Sequence, residues 1–350
     1  MKYGLNIKLA RESRGISQKE LAKLVEISQV SLSRIEKSDA VVAFPLLEKM
    51  GRALHYPVSF FDKDFKESEF EFSMFYRKRA SMKVKDLDII KRRILFINKA
   101  VDILLESVDI PELSIPHIEC TDEYQADEIA YRLKRHLQIP NYPIEKLVNV
   151  IEHCGAIVYF IDFGDSGEKF DGLTTFTPNN HPIIYINDRM PNDRKRFNLV
   201  HELGHLTMHS RSTNIQKSGD EMEREANLFA AEFLLPRENC ISDLCNLKYK
   251  DLPALKQKYL VSKAFIIHRA SELECITEST AKYFYITLVR NKEKKEEMGF
   301  VPIDRPSIIS KMIGMHVNGL GYSYEELSDI LGLYPDEIRE LYGSKMNIAI

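Results

Sequence analysis

The sequence predicts an α+β multidomain chain: an all-α helix-turn-helix head, a long helical linker, a central domain with a small sheet, and a small all-α C-terminal unit. Three observations carry that prediction. Two short capped helical segments occupy residues 17–36, an apolar run at heptad-like spacing occupies 87–108, and a His201-Glu202-Leu203-Gly204-His205 motif follows two β-prone runs. With 350 residues and 44% hydrophobic content, the chain has room for two or three cored domains. The expected boundaries are 1–65, 66–120, 121–295 and 296–350.

In the head, Ser17 with Glu20 forms a capping box and Ser28 caps the next helix. Ala22 is small where the two helices should cross. Leu32 and Ile35 point inward, leaving Gln29, Ser31, Ser33 and Arg34, with Gln18 from the first helix, for bases and phosphates. Helices at 7–14, 44–54 and 58–61 complete the unit. Residues 4–62 thus resemble the Cro/Xre-type repressor domain, which implies a double-stranded DNA operator as partner. Glu26 stands where that family often places a turn glycine; a left-handed backbone there would cost about 1 kcal/mol. Ten Lys and Arg against seven Asp and Glu over residues 1–62 make the head only weakly basic.

After a charged linker at 62–75, Leu87, Ile90, Ile94, Ile97, Val101, Leu104 and Val108 repeat at steps of three and four. The stripe suits a homodimer seam that would pair two heads, or equally a buried scaffold helix, since Leu95, Phe96 and Leu105 lie off it. Helices are expected at 122–137 and 144–154. Residues 156–161 and 182–187 read as short apolar strands; 171–177, Thr-rich and half polar, reads as a sheet edge able to add an extended peptide.

Residues 192–209 carry Phe197, Val200, Leu203 and Leu206 at helical spacing. On such a helix His201 and His205 share one face and can grip one metal ion, with Glu202 beside it as general base toward a water. Residues 220–236 supply the third ligand from a second helix. Glu223 is the expected ligand, with Asn227 one turn on to bond a ligand imidazole; Glu225 competes with Glu223. His209 continues the i, i+4 series, but as a helix-end residue, where a cation would suit the helix dipole.

The runs HELGHLTMH (201–209) and EREANLFAAEFLLP (223–236) resemble the ImmA/IrrE family of metallopeptidases. The resemblance covers roughly 120–290. It implies a thermolysin-like zincin domain with Zn2+ held by His201, His205 and Glu223, and Glu202 as catalytic base. His268 and Arg269 are the candidates for stabilising the oxyanion. The resemblance also implies a protein substrate, such as a repressor or an antitoxin-like protein, and control of a stress or mobile-element response. The alternative is a non-catalytic DNA-binding regulator whose zincin-like domain senses a ligand or partner.

Beyond a break at 302–306, segments at 307–317, 324–331 and 335–342 read as helices. Residues 322–333 have helix-turn-helix rhythm but are acidic, which points to packing or partner binding. Lys292 to Lys295 is a short charge run. Five scattered cysteines without a CxxC pair, no signal peptide and no membrane-length apolar run fit a reducing, cytoplasmic setting; Cys240 and Cys245 are a candidate redox pair. A net charge of −3 argues against a chain coated in nucleic acid.

Overall fold

The computed structural model describes residues 3–37, 41–65, 83–121, 124–139, 143–167, 170–210, 217–293 and 297–343. Residues 66–75 of the expected linker and 294–295 of the charge run lie outside them.

The head comprises α1 (Gly4–Ser13), α2 (Gln18–Leu24), α3 (Gln29–Lys37), α4 (Phe44–Leu54) and a 3-10 turn (Val58–Asp62). Ser17 accepts from Glu20 N while the Glu20 carboxylate accepts from Ser17 N, so both start-of-helix amides are satisfied. Ser28 Oγ accepts from Ser31 N at 3.0 Å. Glu26 takes the turn between α2 and α3 at φ 60°, the left-handed conformation its position predicts. Leu21, Leu32, Met50 and Phe60 fill one core. Beneath α3, Arg11 and Gln18 both bond the buried Glu36 carboxylate, at 2.6 and 2.8 Å.

α5 (Val84–Leu105) is a single 22-residue helix, about 33 Å long at 1.5 Å per residue. Its heptad stripe is consumed inside the chain. Ile90, Ile94, Val101 and Leu104 pack against the sheet and the C-terminal helices, while Leu95 and Phe96 enter the head core. Of the two readings, dimer seam and scaffold helix, the structure supports the second: a stripe already buried on its own chain cannot serve a second copy.

The sheet has the order β1-β3-β2, with β1 (Ile157–Ile161) parallel and β2 (Gly172–Phe176) antiparallel to the central β3 (Pro182–Asn187). Side-chain alternation divides it. Ile157, Ile161, Leu173, Ile183 and Tyr185 face α5, whereas Val158, Ile184 and Ile186 face the opposite core. Burial on both faces is why β1 and β3 read as unbroken apolar runs.

That opposite core is helical: α6 (Ala126–His136), α7 (Leu147–His153), α8 (Asn192–Met208), α9 (Gly219–Leu234), α10 (Arg237–Leu244), α11 (Leu252–Tyr259), α12 (Lys263–Glu272) and α13 (Glu278–Arg290). α8 and α9 cross closely at Gly204, where an added Cβ would stand 3.0 Å from the Phe229 ring. The C-terminal α14 (Ile308–Gly314), α15 (Tyr324–Leu331) and α16 (Pro335–Gly343) share their core with α5 and the sheet, through Ile309, Met312, Leu327 and Ile338. They also hold the head: Lys63 Nζ donates to Asp329 O at 2.6 Å and Tyr334 Oη to Tyr56 O at 3.2 Å.

All five cysteines are free. Cys240 is buried, and the Cys245 thiol contacts that of Cys275 at 3.1 Å and not that of Cys240, so the candidate redox pair Cys240/Cys245 is not brought together. Helix α10 separates residues that are close in sequence and brings together two that are not. Among the described residues no helix is long and apolar enough to cross a membrane.

Candidate metal centre

α8 delivers His201, Glu202 and His205, and α9 delivers Glu223 and Asn227, each pair of interest one turn apart. The facing atoms form a small triangle. His201 Nε2 and His205 Nε2 are 3.1 Å apart, and the Glu223 carboxylate oxygens stand 3.5 and 3.4 Å from them. Ligands about 2.1 Å from a tetrahedral ion stand about 3.4 Å from one another, so the triangle has the size of a zinc site with its fourth position open.

The hydrogen bonds behind the rings fix their tautomers. His201 Nδ1–H donates to Asn227 Oδ1 at 3.0 Å, leaving the Nε2 lone pair toward the triangle. His205 Nδ1–H donates to His209 Nδ1 at 2.9 Å, His209 Nε2–H donates to Glu225 Oε2 at 2.8 Å, and Lys217 Nζ donates to Glu225 Oε1 at 2.6 Å. Two lone pairs 3.1 Å apart, backed by an anion, need a shared cation; the donor set fits a divalent metal. Glu225 thus lies behind the cluster, two residues around the helix from Glu223.

The electrostatics agree with that assignment. Burial pushes His205 down to about 4, which keeps its ring neutral. His209 sits at the end of α8, as expected, and there it links His205 to Glu225 while burial lowers its pKa.

Glu202 leaves α8 toward β2. Its carboxylate accepts from the Thr174 hydroxyl at 2.8 Å, and burial raises it to about 7 against the pull of His201 and Thr174. β2 is the sheet edge, as its half-polar sequence predicts. Ladder bonds from Thr177 N to His181 O and from Asn187 N to Asp171 O set its phase, so Gly172, Thr174 and Phe176 turn their backbone groups away from β3. A Cβ on Gly172 would stand 3.2 Å from Glu202 Cγ, so only glycine leaves that stem its place.

Two adjoining cavities of about 460 and 450 Å³ flank the cluster and share Asn227 and His268 in their walls. The His268 side chain is 67% exposed there. Arg269 is removed from the candidate oxyanion stabilisers: it is buried, bonded to Glu232, Glu272 and the Leu235 carbonyl, and spent on packing α12 against α9. In the head, Gln29, Ser31 and Arg34 are exposed along α3; Ser33 and Gln18 are half-buried.

Residues 151–271 match the family model Peptidase_M78, the IrrE N-terminal-like domain, and residues 7–61 match HTH_3, helix-turn-helix. The chain carries an IrrE-like peptidase domain and a Cro/Xre-type helix-turn-helix domain. No curated protein matches the chain. The IrrE-like match spans β1 to α12, including the whole triangle. The helix-turn-helix match spans α1 to the 3-10 turn. A metallopeptidase family implies a metal, usually zinc, and His201, His205 and Glu223 are the group of described residues able to hold one. Sequence reasoning missed three parts of the IrrE-like site: the anchoring roles of His209 and Glu225, the grip of Thr174 on Glu202, and the gap at Gly172. Only His209, in register with the ligand histidines, left a usable signal.

Proposed function

We propose that this chain is a zinc-dependent endopeptidase joined to a DNA-binding head, which controls transcription by cutting a partner protein such as a repressor. The observation that carries the reading is the conjunction of the metal-sized triangle with the Thr174-held Glu202, beside the outward-facing backbone of β2. His201, His205 and Glu223 would hold zinc, with Asn227 and His209 orienting the two imidazoles. When bound, zinc supplies Lewis acidity toward a water and a peptide carbonyl. Glu202, held by the Thr174 hydroxyl, takes the proton of the attacking water and passes it to the leaving amine. Gly172 and Thr174 offer backbone groups to an extended substrate strand. His268, on the cavity wall, is the remaining candidate for the oxyanion. Gln18, Gln29, Ser31, Ser33 and Arg34 are assigned to operator contacts, and the limits at 65, 120 and 295 mark segments of the sequence, since residues on both sides of 120 and 295 share one core.

The test is Glu202→Gln, compared with wild type for cleaved proteins in cells and for expression of controlled genes. The variant should retain zinc, and cleavage should fall about 10²–10⁴-fold. Normal regulation, with no cleaved partner in either strain, would reject the peptidase reading and leave the domain as a ligand or partner sensor.

A further inference from the structure

A cavity of about 370 Å³ lies where the head, α5, β1 and α16 meet, and it shares no wall residue with the metal centre or its flanking cavities. Phe96 and Ile97 of α5 and the Tyr159 ring of β1 give it apolar walls, and the β1 chain closes it at Phe160 and Ile161. Its charged groups are unevenly satisfied. Arg14 donates to the Leu54 and His55 carbonyls at 2.9 and 2.8 Å and lies over the Tyr56 ring. Asp162 meets Arg189 at 2.7 Å, Asp188 meets Lys195 and Arg305 at 2.5 and 2.8 Å, and Glu337 meets Arg14 at 3.5 Å.

Arg93 differs. It projects from the middle of α5, half-buried, with its guanidinium 5.1 Å over the Phe163 ring. Among the described residues it makes no ion pair and donates no hydrogen bond. Burial lowers its pKa, a sign of how poorly the protein alone solvates that charge. A planar fork of donors left unmet in a partly dry cavity is costly to the folded state, and it is the geometry that binds a carboxylate or phosphate through two parallel bonds.

We propose that this cavity binds a small organic oxyanion, a carboxylate or phosphate carried on a flat apolar body, with Arg93 as its anion-binding residue. The Tyr159 ring covers the body, and Glu340, the one wall acid without a cation among the described residues, meets a hydroxyl or amine on it. Because Arg14 and Tyr56 belong to the head while Tyr159 and Glu337 belong to the sheet and α16, an occupant touches all three bodies. Its binding adds to the docking of the DNA-binding head. The inference is independent of peptidase activity.

Arg93→Met in the full chain tests it by thermal melting. The variant should melt within about 1 °C of wild type, since the charge makes no ion pair or hydrogen bond among the described residues and a Met side chain can still pack on the Phe163 ring. Phenyl phosphate at millimolar concentration should raise the wild-type Tm by about 2 °C. Inorganic phosphate at the same concentration should do less than half of that, and Arg93→Met should not respond to either. A clear fall in the Tm of Arg93→Met would make Arg93 structural and overturn the proposal. So would no shift in wild type, an equal shift from inorganic phosphate, or a shift retained by the variant; the last would assign the anion to the metal centre or to the DNA-binding face.

Discussion

Replacing Glu223 or Glu225 by glutamine swaps one oxygen for nitrogen in either side chain, yet two unequal losses are expected. Glu223 presents its oxygens 3.5 and 3.4 Å from the ligand nitrogens of His201 and His205, so Glu223→Gln removes an anionic member of the triangle itself. Glu225 reaches the site through His209, and Glu225→Gln leaves an amide oxygen that still accepts from His209 Nε2 while the charge partner of Lys217 is lost. Partners one bond behind a ligand are worth about 10–100-fold in metal affinity, or about 1.4–2.7 kcal/mol. Glu225→Gln should fall at the lower end of that range and Glu223→Gln beyond its upper end. Zinc dissociation constants, measured on the purified full chain by competition with a chromophoric chelator, separate the two. Equal losses, or a larger loss for Glu225→Gln, would refute the ligand assignment and the His205–His209–Glu225 relay together.

Thr174→Val keeps the shape of the side chain but removes the hydroxyl that holds Glu202; cleavage should fall about 10–100-fold, the worth of a hydrogen bond to a charged group, with zinc content unchanged. In metal-free protein Glu202 titrates at about 7 because of burial, against an ordinary value of 4.5. The folded state therefore keeps a proton the unfolded chain releases, and stability relative to Glu202→Gln should fall as pH rises from about 4.5 to about 7 and then level off; urea melts at several pH values check the sign. Arg34→Ala should weaken binding to an operator selected from random DNA by about 1–3 kcal/mol while leaving zinc content as in wild type. Ile94→Ala, in the consumed face of α5, should destabilise the fold by about 2–5 kcal/mol in chemical denaturation and leave the oligomeric state, read by light scattering, unchanged.

What the sequence determined by itself is local. Ser17 with Glu20 and Ser28 set where α2 and α3 begin, because caps act within four residues. The i, i+4 pair His201 and His205 sets half of the metal cluster for the same reason: one helical turn fixes their separation before any tertiary contact forms. Asn227, one turn beyond Glu223, was legible in the same way. The apolar runs of β1 and β3 announced strands, and the structure shows both faces covered. What needed the tertiary structure is every choice between faces of equal local merit. Glu223 and Glu225 have the same chemistry on the same helix, and only the crossing of α8 and α9 at Gly204 and Phe229 turns one to the metal side and the other to His209. The stripe on α5 fits a dimer and a scaffold equally, since periodicity records that a face is buried and not what buries it; the sheet and the C-terminal helices, more than 50 and 200 residues away in sequence, decide it. Thr174 meets Glu202 across 28 residues, and Gly172 makes room for it, through β-edge geometry that no spacing along the chain encodes.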